Sequence, residues 1–455
     1  MKSAARWRVS VTVLAVFPIL CRAEPQSWED QMRQADRLRS EGALSRAEAL
    51  YQAALTRAQS SGAEDARAGQ VLNHLADLYN EQGNYRQGLT TSYRALPLLT
   101  KELGPEHPWV GACRYNIARA LRQLGRHQEA ELAYHQALLI TEKALGPNHP
   151  EVSTVLHGLG NLLSDMARYN DAEAALQRAL KIAASRPEPD ELTVTLILKD
   201  LANLYFSWGN LAKAEHYLRR AVAVSDRAAV QNPRMLATIL NSLAVLYYFQ
   251  GDHRKAEENW MRALCLFEAS LGGSHPDVVF FLINLGEMKR TARRYSEAEA
   301  DLLRALAVAE KGVGSEHPYT VRTLHFLART YADQKLYGKA EPLYHRGLGI
   351  AVQVLPPDHP QTGLLLEDLA RLHYSLREYA ESEMLYSRAV STLEKSMGPE
   401  HSMVANSLTG HASALRKLKR KKEAAGLEQR AQTILQSQSH HHGPLMVDMR
   451  DLPGR

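Results

Sequence analysis

A 42-residue stretch, Gly104 to Leu145, recurs through most of this chain, and that recurrence constrains the fold more than any single motif. Pairs of small residues seven apart mark its phase. They are Ala47 and Ala54, Gly88 and Ala95, Ala130 and Ala137, Ala172 and Ala179, and Ala214 and Ala221. Ala256 and Ala263, Ala298 and Ala305, Ala340 and Gly347, Ser382 and Ala389, and Ala424 and Ala431 continue the series. A third small residue sits twelve places before each pair, as Ala118, Gly160, Ala202 and Ala244 do. Ten units in one register imply a stacked array in which each unit buries its apolar face against its neighbours.

Each unit reads as two helices. In the stretch above, Ile117, Leu121 and Leu124 fall at spacings of four and three along a first helix from about Pro108 to Leu124. Gly125 breaks it. A second helix from about His127 to Leu145 has Ala130, Tyr134, Ala137, Leu138 and Thr141 on its inner face. Gly146 and Pro147 end it, and Pro150 stands where the next helix begins. The small residues allow close packing of helix axes, at about 8–10 Å.

The pattern small-x-x-Leu/Tyr, then Gly-x-Tyr-x-x-Ala-Glu, an aromatic or Leu four on, then Ala, resembles the tetratricopeptide repeat. The long unit with its Leu-Gly-Pro-x-His-Pro joint looks most like the repeats of kinesin light chains and many bacterial relatives. The resemblance covers about Glu24 to Gln436. It implies an all-α, right-handed superhelical solenoid of about ten tetratricopeptide-like helical hairpins.

Residues 1–23 have the pattern of a secretory signal. Lys2, Arg6 and Arg8 precede an apolar run from Val9 to Leu20 that is too short to span a bilayer. Cleavage after Ala23 makes the mature protein exported, periplasmic or extracellular. A lipid anchor on Cys21 is the competing reading, and large Leu20 argues against it. Residues 24–436 are expected to form the solenoid, and 437–455 a polar, disordered tail carrying His440, His441 and His442. Three histidines could bind a metal ion weakly, but the polar Ser-, Gln- and Gly-rich surroundings favour a plain tail, and no metal site is expected.

The chain has 55 Lys and Arg against 50 Asp and Glu, and four of the basic residues (Lys2, Arg6, Arg8, Arg22) lie in the signal, so the cleaved chain stands at +1. Such a balance gives no basic field for nucleic acid. The densest basic run, Arg416 to Lys422, reads as a solvated turn in the terminal unit. After cleavage Cys113 and Cys265 remain, too many units apart to bridge, and both read as small apolar residues.

The joint histidines His107, His149, His275, His317, His359 and His401 come one per unit, too far apart to share an ion. They are expected to bond locally and pin each turn. Glu131, Glu173, Glu215, Glu257, Glu299 and Glu341, also one per unit, read as salt-bridge partners on exposed faces. No nucleotide loop, nucleophile elbow or zinc-protease motif is present, so neither an enzyme nor a cofactor is expected.

In tetratricopeptide arrays the first helix of each unit lines a concave groove. Carried over position by position, the resemblance implies a peptide-binding wall of Asn73, Tyr115, Arg119, Arg122, Asn161, Asn203, Phe206, Asn241, Tyr248, Phe249, Arg329 and Arg371. Asn amides suit a peptide backbone, Arg suits carboxylates, and aromatic rings supply anchor area. The expected function is therefore an exported scaffold for an extended peptide or protein partner, with no membrane span after cleavage. The alternative is an architectural component of an envelope or secretion assembly that uses outer faces or ends. For Phe206, Tyr248 and Phe249, packing between units remains open as the competing role.

Overall fold

The computed structural model describes residues 27–59, 65–185, 190–227 and 233–437. The described residues hold twenty helices and no strand. They are α1 (Trp28–Ser40), α2 (Leu44–Gln59), α3 (Ala66–Glu81), α4 (Tyr85–Leu103), α5 (Pro108–Gln123), α6 (His127–Leu145) and α7 (Pro150–Asp165). Next come α8 (Tyr169–Ala184), α9 (Glu191–Ser207), α10 (Leu211–Arg227), α11 (Pro233–Phe249), α12 (His253–Leu271), α13 (Val278–Thr291) and α14 (Tyr295–Gly312). The last six are α15 (Pro318–Asp333), α16 (Tyr337–Val354), α17 (Pro360–Ser375), α18 (Tyr379–Met397), α19 (Ser402–Lys417) and α20 (Lys421–Ser437). The signal-like segment, the joint before Asp65, the two irregular joints after Ser185 and Arg227, and the histidine-bearing tail lie outside the described residues.

The chain forms two compact units, Met1–Ala120 and Leu121–Arg455. In the first, α1 packs on α2, α2 on α3 and α3 on α4. In the second, odd and even helices pair as hairpins from α7 with α8 to α19 with α20, and each even helix from α6 onward also packs on the next odd one. Odd helices touch too, α7 with α9 and α13 with α15 among them. This is an all-α solenoid of repeats.

The phase-marking alanines explain the close packing. Ala130, Ala137, Ala172, Ala214, Ala256, Ala263, Ala298 and Ala340 are fully buried. At two glycine markers a methyl group meets its neighbour too closely: a Cβ on Gly160 would lie 2.6 Å from Leu176 Cγ, and one on Gly286 2.6 Å from Leu302 Cγ.

Helix ends follow the local chemistry. Gly125 has φ +74 and Gly251 φ +79, the left-handed region that glycine enters without strain. In the joints, each histidine caps the helix that follows. His149 Nδ1 accepts the Glu151 N–H at 3.3 Å, His317 the Tyr319 N–H at 3.2 Å, His359 the Gln361 N–H at 3.1 Å and His401 the Met403 N–H at 3.2 Å. His107 and His275 accept from Trp109 and Asp277 in the same way. Each imidazole thus satisfies an N–H that a helix start leaves without an intrahelical partner.

Two expectations need correction. Cys113 is buried and donates to the Ser92 carbonyl, but Cys265 is exposed. The repeated glutamates are not only salt-bridge partners. Glu131 pairs with Arg168 and Glu257 with Arg294, whereas Glu173, Glu215 and Glu299 accept hydrogen bonds from Tyr205, Tyr247 and Tyr331 of the following unit. The phenol reaches them because its helix packs directly on the preceding hairpin. In the basic run, Arg416 pairs with Glu428, and Arg420 with Glu423 and with Glu383 of α18, so its guanidinium groups are spent within the terminal hairpin and on the helix before it.

Candidate functional site: a cavity walled by four odd helices

First helices stack so that a residue on one meets the residue 42 or 43 places on in the next. That spacing decides which wall positions are free. In the first compact unit, Asn116 Nδ2 donates to Asn73 Oδ1 at 3.0 Å, Asn80 donates to the Asn116 carbonyl, and all three asparagines are buried. Arg119 pairs with Asp77, which also holds Arg39 at 2.6 Å, and its guanidinium lies over the half-buried Tyr115 ring.

The second unit contains a cavity of about 1080 Å³. One side is built by α5, α7, α9 and α11, through Arg122, Asn161, Lys199, Asp200, Asn203, Phe206 and Phe249. Met397, His401, Ser402 and Met403, between the end of α18 and the first turn of α19, line it as well. Typical small-molecule pockets enclose about 300–1,000 Å³, so this one lies just above that range, with room for a segment of chain.

Asp200 organises the polar part. Its carboxylate lies 2.7 Å from His157 Nε2 and accepts from Asn161 Nδ2 at 2.9 Å and Asn203 Nδ2 at 3.4 Å, with Lys199 Nζ at 3.7 Å. Burial pushes its pKa up, but Lys199, His157 and Asn161 outweigh burial and hold it well below the usual carboxylate range. The group therefore stays charged and fixes both amides. Each amide keeps a carbonyl oxygen and a second N–H for another partner. Beside it, Arg122 Nε donates to Asp165 Oδ2 at 2.6 Å. The apolar part is a pair of rings: Phe206 and Phe249 meet edge to face with centroids 5.0 Å apart, both half-buried.

Of the twelve wall residues expected from sequence, Arg122, Asn161, Asn203, Phe206 and Phe249 line this one cavity. Others make contacts within the stack. Asn73 and Asn241 are buried, and Asn241 Oδ1 accepts from Trp260 Nε1 at 2.9 Å and Asn284 Nδ2 at 3.0 Å. Tyr248 is half-buried, with its hydroxyl 3.3 Å from Thr291 Oγ1 and its ring near Trp260. Arg329 is spent on Glu287 at 3.1 Å and Asp368 at 3.3 Å, and Arg371 on Asp368 at 2.6 Å and Glu367 at 3.2 Å. For Arg329 the reason is the row spacing, because Glu287 and Asp368 on the neighbouring odd helices already neutralise it, whereas Arg371 pairs with residues three and four places before it on its own helix. Every residue from Val278 to Met288 on α13 is buried, so no open wall exists there.

Sequence reasoning did not name Asp200 or the Met397–Met403 turn. Asp200 could have been found by offsetting the rows by one residue, which sets it opposite His157. The turn carries no comparable signal, because its position depends on rotation accumulated over several units.

Against known proteins, seven overlapping segments match the model of the tetratricopeptide repeat: residues 67–138, 121–185, 168–227, 235–311, 280–351, 319–394 and 361–437. No curated protein matches by sequence. Among solved structures, the apo form of RapI aligns with a TM-score of 0.57 at 15% identity, covering 81% of this chain and 97% of that one. The apo form of the quorum sensor NprR from B. thuringiensis aligns with a TM-score of 0.52 at 16% identity, covering 79% and 99%. BtubC (BKLC) from P. vanneervenii is 23% identical over 53% of this chain and 90% of its own, with a TM-score of 0.43. At these identities the likeness is one of fold. The repeat matches run through most of the helices described above, and the chain belongs to the tetratricopeptide repeat family.

Proposed function

We propose that this chain is an exported protein-interaction scaffold that takes an extended peptide segment of its partner into the cavity walled by α5, α7, α9 and α11. Tetratricopeptide repeats are protein-binding units, and the reading of export rests on the charged, apolar and small-residue pattern of residues 1–23. One observation carries the choice of site: Asn161 and Asn203, fixed by Asp200, stand in the same cavity as the Phe206–Phe249 ring pair. Amides with remaining donors and acceptors can bond a peptide backbone whatever its side chains. Half-buried aromatic rings supply the anchor that dominates such interfaces.

The test uses a phage-displayed random-peptide library selected on the chain from Glu24 onward. A selected peptide is then titrated by fluorescence anisotropy against the parent and against Asn161→Ala with Asn203→Ala. Loss of affinity at unchanged helicity supports the reading. Full affinity in the variant contradicts it.

A second reading rests on α6. Leu132 and Leu139 lie two turns apart on α6 and are about two-thirds exposed. Apolar side chains on an outer face suit an architectural contact. Peptides selected on the chain that respond to Leu132→Ser with Leu139→Ser, and not to the amide changes, would favour it.

A further inference from the structure

We propose that Glu341, His345 and His373 form a binding site for one divalent transition-metal cation, Zn²⁺ being the best match, at the joint between α16 and α17. The site arises where the repeat breaks its own rule. In four other joints the glutamate after the small marker accepts a hydrogen bond from a tyrosine of the next unit: Glu48 from Tyr79, Glu173 from Tyr205, Glu215 from Tyr247, Glu299 from Tyr331. At this joint the glutamate is Glu341, and the position of the tyrosine is held by His373. One helical turn after Glu341 comes His345, where three of those units have Gln177, Arg219 and Leu303. An imidazole replaces a phenol on one side of the joint, and a second imidazole is added on the other.

The donor atoms of these three residues all lie within 4.8 Å of one another. His345 Nε2 is 3.9 Å from Glu341 Oε1. Donors about a tetrahedral Zn²⁺ with bonds of about 2.0–2.1 Å stand about 3.3 Å apart, so closure needs movements of an ångström or so. Glu341 and His345 can make them, because their side chains are 39% and 60% exposed. His373 is the fixed ligand, its side chain only 9% exposed. Its Nδ1 lies 2.5 Å from Glu378 Oε2, which leaves Nε2 for the cation. A carboxylate on the far nitrogen of a metal-ligating histidine holds the tautomer and orients the ring. Two imidazoles and one carboxylate, with water in a fourth position, is a donor set that suits Zn²⁺. None of the four residues lines the cavity above, so the two sites are independent.

The test is calorimetric titration of ZnCl₂ into the chain from Glu24 onward, carrying His440→Ala, His441→Ala and His442→Ala so that tail imidazoles do not contribute. The expected result is one Zn²⁺ per chain. His373→Tyr restores the residue that other joints use, which keeps the fold, and should weaken binding by at least about tenfold; His345→Leu should do the same. Glu378→Gln should weaken it by about tenfold through loss of ring orientation. Absence of saturable binding, or binding unchanged in both His373→Tyr and His345→Leu while thermal melts show them folded, overturns the proposal.

Discussion

Phe206 and Phe249 belong to neighbouring odd helices, yet their rings meet edge to face at 5.0 Å and line one cavity. The contact joins two roles that the sequence left as alternatives, packing between units and presentation to a partner. Edge-to-face pairs add about 0.5–1.5 kcal/mol beyond their burial, so the pair stabilises the α9–α11 joint whether or not a ligand is bound. A binding test on these rings must therefore be read beside a stability measurement.

The buried ionic network of α15 and α17 should be the most sensitive point in the stack. Asp368 lies 2.7 Å from His325 Nε2 and pairs with Arg329 and Arg371. Burial pushes its pKa up, and Arg329, His325 and Arg371 outweigh burial and keep it ionised. Asp368→Asn would leave Arg329 with Glu287 and the more exposed Arg371 with Glu367 as their remaining carboxylates. The expected loss is about 1–3 kcal/mol, read from urea unfolding. A loss under 1 kcal/mol would mean that the network contributes little.

Acidification should weaken the fold through three histidines. Burial pushes the pKa values of His317, His325 and His359 below the ordinary histidine value. A histidine lowered in this way binds fewer protons folded than unfolded between its folded pKa and about 6.5. Stability from these groups is full above about pH 6.5 and is lost as pH falls toward the folded values. Tm should fall between pH 7.5 and 5.5. His359→Asn keeps a capping acceptor without the titration, so it should flatten that dependence; an unchanged slope would remove His359 from the account.

Ala263 tests the repeat register. It is fully buried on α12. Ala263→Phe should overpack the joint and cost about 1–3 kcal/mol or more in a thermal melt. An unchanged melt would contradict the packing described.

Much of the fold was legible because it depends on local, repeated chemistry. Ala130 and Ala137 mark helix contacts, Gly125 marks a left-handed turn, and the joint histidines sit where an N–H needs an acceptor. The wall was legible only in part. Asn203 and Phe206 could be placed by their distance from Ala202, but the same rule put Asn241 on the surface, where Trp260 and Asn284 in fact consume it. The rule tracks position along one helix, while burial depends on what the next helix presents 42 or 43 residues later. Arg329 shows the same limit: a guanidinium suited to a partner's carboxylate is already held by Glu287 and Asp368.

The most direct test of the binding account is titration of a library-selected peptide against Phe206→Ala with Phe249→Ala, with circular dichroism melts on the same samples. The account predicts affinity reduced by about 2 kcal/mol or more, with helicity intact at the assay temperature. Unchanged affinity of the folded variant, with stability alone reduced, would contradict it and leave the two rings as packing between α9 and α11.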